Sequence, residues 1–212
     1  MDLIECVSEI LPGQIWIADM YCAMDPTILD RLEISHIVNA SNQAAPNVFS
    51  SSTYYCSIDE DDDEYADLWA HFDRAIDFID GALSRGGRVL VHCVAGVSRA
   101  STLVIAFLMK TKKMSAKEAW LFVKARRPCI CPNRDFAAQI LGFESGLPIN
   151  CKKPSIGYEE ICKRPAVRPP AHIMKNSLAG IKHSIGGKRK QNKKSCCDCA
   201  ACFQGLMGGS AI

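Results

Sequence analysis

Residues 92–99 read His-Cys-Val-Ala-Gly-Val-Ser-Arg, and this stretch decides the fold that we expect of the chain. It follows an apolar run that ends at Val91 and opens a second apolar run over residues 100–109. The pattern predicts a turn from the end of a buried strand into the start of a helix. In so short a turn, with Gly96 at its centre, several backbone N–H groups point at one spot, which forms an anion-binding site.

Cys93 and Arg99 give this predicted site its chemistry. Arg99 supplies a planar, two-pronged donor suited to phosphate oxygens. The same donors stabilise a thiolate, so we expect Cys93 to ionise readily and to attack a bound phosphate, which forms a covalent phospho-enzyme. A buried, inert thiol is the alternative, but the joint spacing of strand, Cys, Gly, Arg and helix favours the nucleophile. His92 should point away from the turn, so we expect a structural hydrogen-bonding role for it.

The chain resembles the cysteine-dependent protein tyrosine phosphatases, and within them the small, atypical dual-specificity phosphatases. The resemblance covers roughly residues 12–147 and rests on residues 92–99, 106–109, 126–128, 132–133 and Phe136. It implies an α/β fold with a mostly parallel central sheet flanked by helices. It implies neither a metal nor a cofactor. About a dozen residues precede the first predicted strand, so we expect no N-terminal regulatory domain like that of larger kinase-directed relatives.

The resemblance also assigns roles to the residues of the turn. In the family the Cys is the nucleophile and the Arg binds phosphate and the transition state, which implies these roles for Cys93 and Arg99. Substrate binding falls to Val94, Ala95, Gly96, Val97 and Ser98, together with Arg99. Ser98 fits the dual-specificity branch, and the turn lacks the Lys of relatives that hydrolyse phosphoinositides. We therefore expect a phosphoprotein substrate, and a protein kinase is one candidate partner.

The general acid must come from elsewhere in the chain, and an acidic run at residues 59–64 is the source that we expect. It lies between a predicted strand and a predicted helix, and loops in such places often carry catalytic residues. Counting back from the helix that matches the family places Asp62 at the general-acid position. Asp59, Asp61 and Asp63 stay open as alternatives.

Ala100 departs from the family pattern, which has Ser or Thr directly after the Arg. That hydroxyl is thought to help ionise the Cys and to assist breakdown of the phospho-enzyme. Ser101 follows, but it lies about 100° further round the helix and cannot simply replace the missing group. Two functions therefore stay open. The first is a slow phosphatase acting on phosphotyrosine and phosphoserine/threonine, and the second is a catalytically weak, pseudophosphatase-like module that binds phosphoproteins.

The rest of the first 147 residues predicts alternating strands and helices. Strands are expected at 14–20, 35–40, 53–58 and 88–92, and helices at 26–32, from about 68, at 100–109, at 119–126 and from 134 to about 146. Asp25 and Asn133 are predicted N-caps, and Ser115 with Glu118 is a predicted capping box. Helices between strands favour a parallel sheet with the site at a strand's carboxyl end.

The composition changes after Leu147, and we place a boundary there between a catalytic domain (1–147) and a basic, Cys-containing tail (148–212). Residues 1–149 hold 13 Lys and Arg against 20 Asp and Glu, a net charge of −7. Residues 150–212 hold 12 against 3, a net charge of +9. The tail has few apolar runs, so disorder is expected.

A basic run at residues 188–194 precedes four Cys at positions 196, 197, 199 and 202. The tail could be a solvated basic segment, a membrane anchor that combines lipidated Cys with basic residues, or a nuclear signal or nucleic-acid contact. Zinc binding is disfavoured, because four Cys within seven residues leave too little chain for a self-contained site. We expect no nucleic-acid partner, while contact with a membrane surface stays open.

The chain has twelve Cys, but residues 1–17 lack the basic start and long apolar run of a secretory leader. A reduced, cytoplasmic setting is therefore expected, with nuclear or membrane-associated placement as alternatives that depend on the tail. Cys129 and Cys131 are expected to be structural thiols, and a regulatory disulfide with Cys93 stays open.

Overall fold

The computed structural model describes residues 6–41, 44–49, 53–148 and 154–163. Five strands form its sheet: β1 (Val7–Leu11), β2 (Ile15–Ala18), β3 (His36–Asn39), β4 (Tyr54–Ser57) and β5 (Val89–His92). The sheet order is β1-β2-β5-β3-β4. β1 pairs with β2 antiparallel, and the other three pairings are parallel. The predicted α/β fold with a mostly parallel sheet is thus confirmed.

The helices are α1 (Met20–Ala23), α2 (Pro26–Arg31), α3 (Phe72–Ser84), α4 (Arg99–Lys112), α5 (Ala116–Arg126), α6 (Arg134–Gly146) and α7 (Tyr158–Ile161). A short 3-10 turn at Trp69–His71 leads into α3. The Asp25 side chain accepts from Thr27 N, and Ser115 with Glu118 forms a complete capping box. These contacts are local in sequence, which is why the pattern predicts them.

β5 lies at the centre of the sheet between β2 and β3, and all four of its residues are buried. α4 is buried from Arg99 to Met109 and packs against α3, α5 and α6. The turn between β5 and α4 is therefore held at both ends by elements of the core. Its backbone cannot shift without disturbing close packing on either side.

The structure has one strand that the sequence pattern does not reveal. β1 lies at residues 7–11, within the segment expected to precede the first strand. It is an edge strand in which only Ile10 is fully buried, so it lacks a clear alternation of apolar and polar residues. A disulfide joins Cys6, just before β1, to Cys22 in α1. The sequence-based expectation of reduced cysteines did not include this bond.

Residues 154–163 pack on the domain, although the boundary predicted at Leu147 assigns them to the tail. Ile156, Ile161 and Cys162 are buried in the main core. For this stretch the expected disorder is wrong, because its few apolar side chains find a place in the core. The rest of the predicted tail, from residue 164, lies outside the described residues.

A buried carboxylate fastens this segment to the helices. Glu144, which is 4 % exposed, accepts hydrogen bonds from Ala116 N (2.7 Å), Ser155 N (3.0 Å) and Ser155 Oγ (2.7 Å).

In the described part of the chain, no helix is long and apolar enough to cross a bilayer.

Candidate active site

The turn at residues 93–98, called loop 93–98 from here on, starts where β5 ends. Gly96 has a φ of +64°, in the left-handed region that favours glycine. A Cβ at this position would collide with the carbonyl of Ala18 and lie 2.7 Å from Arg127 Nη2. The loop therefore needs glycine at its centre for two independent reasons.

Cys93 is the first residue of this loop and is 1 % exposed. Its Sγ accepts a hydrogen bond from Gly96 N at 3.2 Å. The backbone of the loop thus holds the sulfur in a fixed position at the end of β5.

Arg99, the first residue of α4, is 6 % exposed and links the loop to the acidic run at 59–64. Its Nη1 donates to Glu60 O at 2.8 Å, and its Nε lies 3.6 Å from Asp62 Oδ2. Among the described residues, that buried Nε has no hydrogen-bond partner. A buried donor without a partner costs free energy, and a phosphate oxygen would satisfy it.

Asp62 lies in the acidic run, and its carboxylate contacts Ser98 of the loop and the following Arg99. Its Oδ1 accepts from Ser98 Oγ at 2.7 Å and from Asn133 Nδ2 at 3.0 Å, while Oδ2 faces Arg99. Its side chain is 20 % exposed, so a proton can reach it from solvent. Asp63, by contrast, accepts from the nearby Tyr65 N. These contacts place the Asp62 carboxylate beside loop 93–98, where the predicted general acid is needed.

Asn133 has a second task that sequence reasoning missed. Its Oδ1 caps α6 by accepting from Phe136 N, as predicted, while its Nδ2 holds Asp62. Its backbone N–H donates to Ser98 Oγ at 3.1 Å. The Ser98 hydroxyl thus donates to Asp62 and accepts from Asn133, and it does not cap α4. The Pro-Asn pattern that contributed to the family resemblance was the available signal.

The hydroxyls that follow Ala100 are committed to the loop backbone. Ala100 itself is fully buried. Ser101 Oγ donates to Val97 O at 2.6 Å and to Ser98 O at 2.8 Å, and Thr102 Oγ1 donates to Ser98 O at 2.9 Å. Within the described ranges, no hydroxyl donates to the Cys93 sulfur. The described residues therefore offer no substitute for the Ser or Thr that the family carries at position 100.

His92 is 2 % exposed, and burial lowers its pKa to about 4. A hydrogen bond with the backbone of Cys93 opposes this shift, and the charge of Arg99 adds to it. The imidazole is consequently neutral at neutral pH, which suits a structural side chain better than a proton carrier. Its Nδ1 has no hydrogen-bond partner among the described residues, so the expected hydrogen-bonding role is limited to the backbone contact.

The remaining loop residues are held through their backbones and by packing. Val94 O accepts from Met20 N, and Val97 O accepts from Cys131 N. Ala95 and Val97 pack against Cys129 and Cys131, both of which are buried.

A strand-to-helix turn that begins with a buried thiol and ends at a buried arginine is characteristic of the cysteine-dependent phosphatases, and the mostly parallel sheet around it has the architecture of that class. The match is specific in sequence as well, because residues 15–146 match the family described as dual specificity phosphatase, catalytic domain. The chain belongs to this family.

Individual relatives support the same assignment. Human dual specificity protein phosphatase 1 is 44 % identical over 137 residues, which are 65 % of this chain and 37 % of the relative. The chain thus spans little more than a third of the length of that curated relative.

Solved structures resemble the domain closely. The human tyrosine phosphatase-like serine/threonine/tyrosine-interacting protein is 32 % identical, with a TM-score of 0.64, and the match covers 67 % of this chain and 97 % of that one. A mouse putative dual specificity phosphatase complexed with zinc tungstate is 27 % identical, with a TM-score of 0.64 and coverage of 74 % and 97 %.

Proposed function

We propose that this chain is a protein phosphatase that hydrolyses phosphotyrosine and phosphoserine/threonine through a cysteinyl-phosphate intermediate. One observation carries the proposal. Loop 93–98 holds the Cys93 sulfur by a hydrogen bond from Gly96 N, and at the other end of the loop Ser98 and Arg99 contact the carboxylate of Asp62. Among the described residues, Arg99 Nε has no hydrogen-bond partner. The loop and its neighbours thus offer a nucleophile, an anion-binding group and a proton donor.

In the proposed first step, the Cys93 thiolate attacks phosphorus and the bond from phosphorus to the ester oxygen breaks. Asp62, in its protonated form, gives its proton to the leaving oxygen, so the alcohol or phenol departs neutral. Arg99 and the loop amides bind the phosphoryl oxygens as charge develops on them. Because Ser98 and Asn133 hold Asp62 by hydrogen bonds, the acid is positioned before the substrate binds.

In the proposed second step, water attacks the cysteinyl phosphate. The Asp62 carboxylate accepts a proton from that water, the sulfur–phosphorus bond breaks, and inorganic phosphate leaves the regenerated thiolate. Ala100 supplies no hydroxyl to the sulfur, and Ser101 and Thr102 are committed to loop carbonyls. We therefore propose that breakdown of the intermediate is the slow step.

The substrate class that we propose is a phosphoprotein. Family membership and the absence of Lys in loop 93–98 support it. A protein kinase is one candidate among such phosphoproteins.

Substitution at the nucleophile tests the proposal on the full chain. Cys93→Ser should abolish turnover of an aryl phosphate while leaving tungstate binding in place, because the loop amides and Arg99 remain. Arg99→Ala should lose both. Cys129→Ser is the matched control, since Cys129 is another free thiol buried against the loop. Wild-type activity in Cys93→Ser would refute the proposal, whereas wild-type protein that binds phosphopeptides without turnover would identify the pseudophosphatase-like module instead.

For the cellular setting we propose a cytoplasmic protein whose tail contacts a membrane surface. The support is the sequence, in which the basic run at 188–194 adjoins four Cys. A lipid chain and a basic patch together give stable attachment, and each alone gives only weak attachment. Deleting residues 188–212 should release the protein into the soluble fraction with its activity on an aryl phosphate unchanged. A fully soluble intact protein without a hydroxylamine-sensitive thioester would contradict the anchor, and nuclear accumulation lost on the same deletion would support a nuclear signal.

A further inference from the structure

Arg127, which follows α5, is the largest side chain that the described part of the fold buries completely, with 1 % exposure. Burying a guanidinium is costly unless its N–H groups find acceptors. The N–H groups of Arg127 find such acceptors, and among the described residues none of these acceptors is a carboxylate. Nε donates to Gly96 O (2.7 Å), Nη2 to Ala95 O (3.4 Å), and Nη1 to Cys6 O (3.2 Å) and Ser8 Oγ (3.0 Å).

Two of these bonds determine the orientation of peptide groups in loop 93–98. A trans peptide is planar, and its C=O and N–H point in opposite directions. The carbonyl of Ala95 faces Arg127, so the N–H of the same peptide, which belongs to Gly96, points away from Arg127. That N–H donates to the Cys93 sulfur. Likewise, the Gly96 carbonyl faces Arg127, which turns the N–H of Val97 toward the opposite side of the loop.

The other two bonds fix the guanidinium from behind. Cys6 O and the Ser8 hydroxyl belong to β1 and the residue before it, more than 100 positions away in sequence. Gly96 leaves no spare room in front, because even a Cβ there would lie 2.7 Å from Nη2. Arg127 is thus a rigid support between the N-terminal strand and the loop.

We propose that Arg127 is a positioning residue for the phosphatase reaction. It orients the 95–96 and 96–97 peptides so that their N–H groups face the Cys93 sulfur and the bound phosphoryl group, and its charge polarises those peptides toward stronger donation. It acts through the backbone and touches no substrate. This inference rests on the proposed function.

The test compares Arg127 with its neighbour Arg126 in the full chain. Arg126 is exposed, stacks 3.6 Å from the Phe122 ring centroid and donates to Phe122 O, so it is a matched control of the same residue type. Arg127→Lys keeps the charge but loses the forked geometry, and Arg127→Met loses both. Ser8→Ala removes one support behind the guanidinium and leaves the loop contacts in place.

Four readouts separate positioning from bulk stability: kcat and KM per active site on an aryl phosphate, tungstate inhibition, the pH dependence of Cys93 alkylation followed by mass spectrometry, and thermal unfolding. For Arg127→Met we expect kcat to fall roughly ten- to a hundred-fold, because oxyanion donors commonly contribute at least this much. Tungstate should bind more weakly, and Cys93 alkylation should require higher pH. Arg127→Lys and Ser8→Ala should show smaller changes in the same direction. The matching substitutions of Arg126, to Lys and to Met, should leave these readouts unchanged.

Arg127 variants with lowered thermal stability but wild-type kcat, KM, tungstate inhibition and alkylation profile per active site would overturn the inference while leaving the proposed function intact. If the wild-type chain shows no turnover, the proposed function fails, and tungstate binding and alkylation still report whether Arg127 orients the loop. If Arg127→Met does not fold, Arg127→Lys and Ser8→Ala decide the matter by the same readouts.

Discussion

Replacing Asp62 with Asn should slow the enzyme most on substrates whose leaving group needs a proton. The change keeps the size of the side chain but removes the proton that we assign to the leaving oxygen. A positioned general acid contributes roughly two to four powers of ten in rate. This corresponds to about 3 to 5 kcal/mol of barrier height.

The contacts of Asp62 indicate that the loss should lie toward the upper end. Its Oδ1 accepts from Ser98 and Asn133, and its Oδ2 faces Arg99 Nε. An Asn side chain must place its NH₂ group at one of these positions, where it meets another donor in either orientation. The substitution therefore removes the acidic proton and also part of the hydrogen bonding that holds the side chain in place.

The assay compares two substrates with wild type, Asp62→Asn and the control Asp63→Asn. On a phosphotyrosyl peptide, Asp62→Asn should lose most of the rate. On an aryl phosphate with a strongly acidic phenol, which leaves without protonation, the loss should be much smaller. Asp63→Asn should behave like wild type, because Asp63 accepts from its own loop. Equal losses of Asp62→Asn on both substrates, or a large loss only in Asp63→Asn, would refute the assignment of the acid.

Three further predictions follow from buried features. Ala100→Ser should shrink the initial burst of released leaving group and raise the steady-state rate. If wild type shows no burst and Ala100→Ser has no higher steady-state rate, slow breakdown of the phospho-enzyme is contradicted. Because burial lowers the His92 pKa to about 4 from 6.5, the unfolded state binds the extra proton between these values. The free energy of unfolding should therefore drop by roughly 2 kcal/mol between pH 7.5 and pH 5, and urea titrations of His92→Asn should show a weaker pH dependence. An equal dependence in both proteins would exclude His92 as the source. The Cys6–Cys22 disulfide closes a loop of 16 residues' separation, so reductant should lower the free energy of unfolding by roughly 3 kcal/mol in wild type and leave Cys6→Ser/Cys22→Ser unaffected. Reductant without effect on wild type would argue against the bond.

The features that could be predicted from the sequence are those that depend on residues close together along the chain. The β5–loop–α4 unit follows from two apolar runs around a glycine-containing turn, and Asp25, Ser115 and Asn133 cap helices whose first residues they precede. The position of Asp62 could be inferred only by comparison with the family, and its contact with Asn133 spans 71 positions.

Long-range contacts account for what was missed. β1 is defined by its pairing with β2 rather than by an apolar pattern of its own. The hydrogen bond from Arg127 to Cys6 O spans 121 positions, and no local sequence pattern predicts it. Sequence periodicity alone cannot show which buried arginine supports a loop, because three of the four acceptors of Arg127 are backbone carbonyls, which every residue has.

The carboxylate of Glu144 has a practical consequence for where this chain can be cut. The structure gives the Glu144 carboxylate three hydrogen-bond donors, and two of them belong to Ser155. Removing everything after Leu147 would take away Ser155 and leave this buried carboxylate with Ala116 N alone of the three. A buried charge that loses its partners typically destabilises a fold by several kcal/mol. A recombinant fragment that ends at Lys163 should resist protease and behave as the full chain does, whereas one that ends at 147 should be lost to degradation or aggregation. Enzymology on the shorter fragment would then measure damage at the C-terminal edge rather than the chemistry of Cys93.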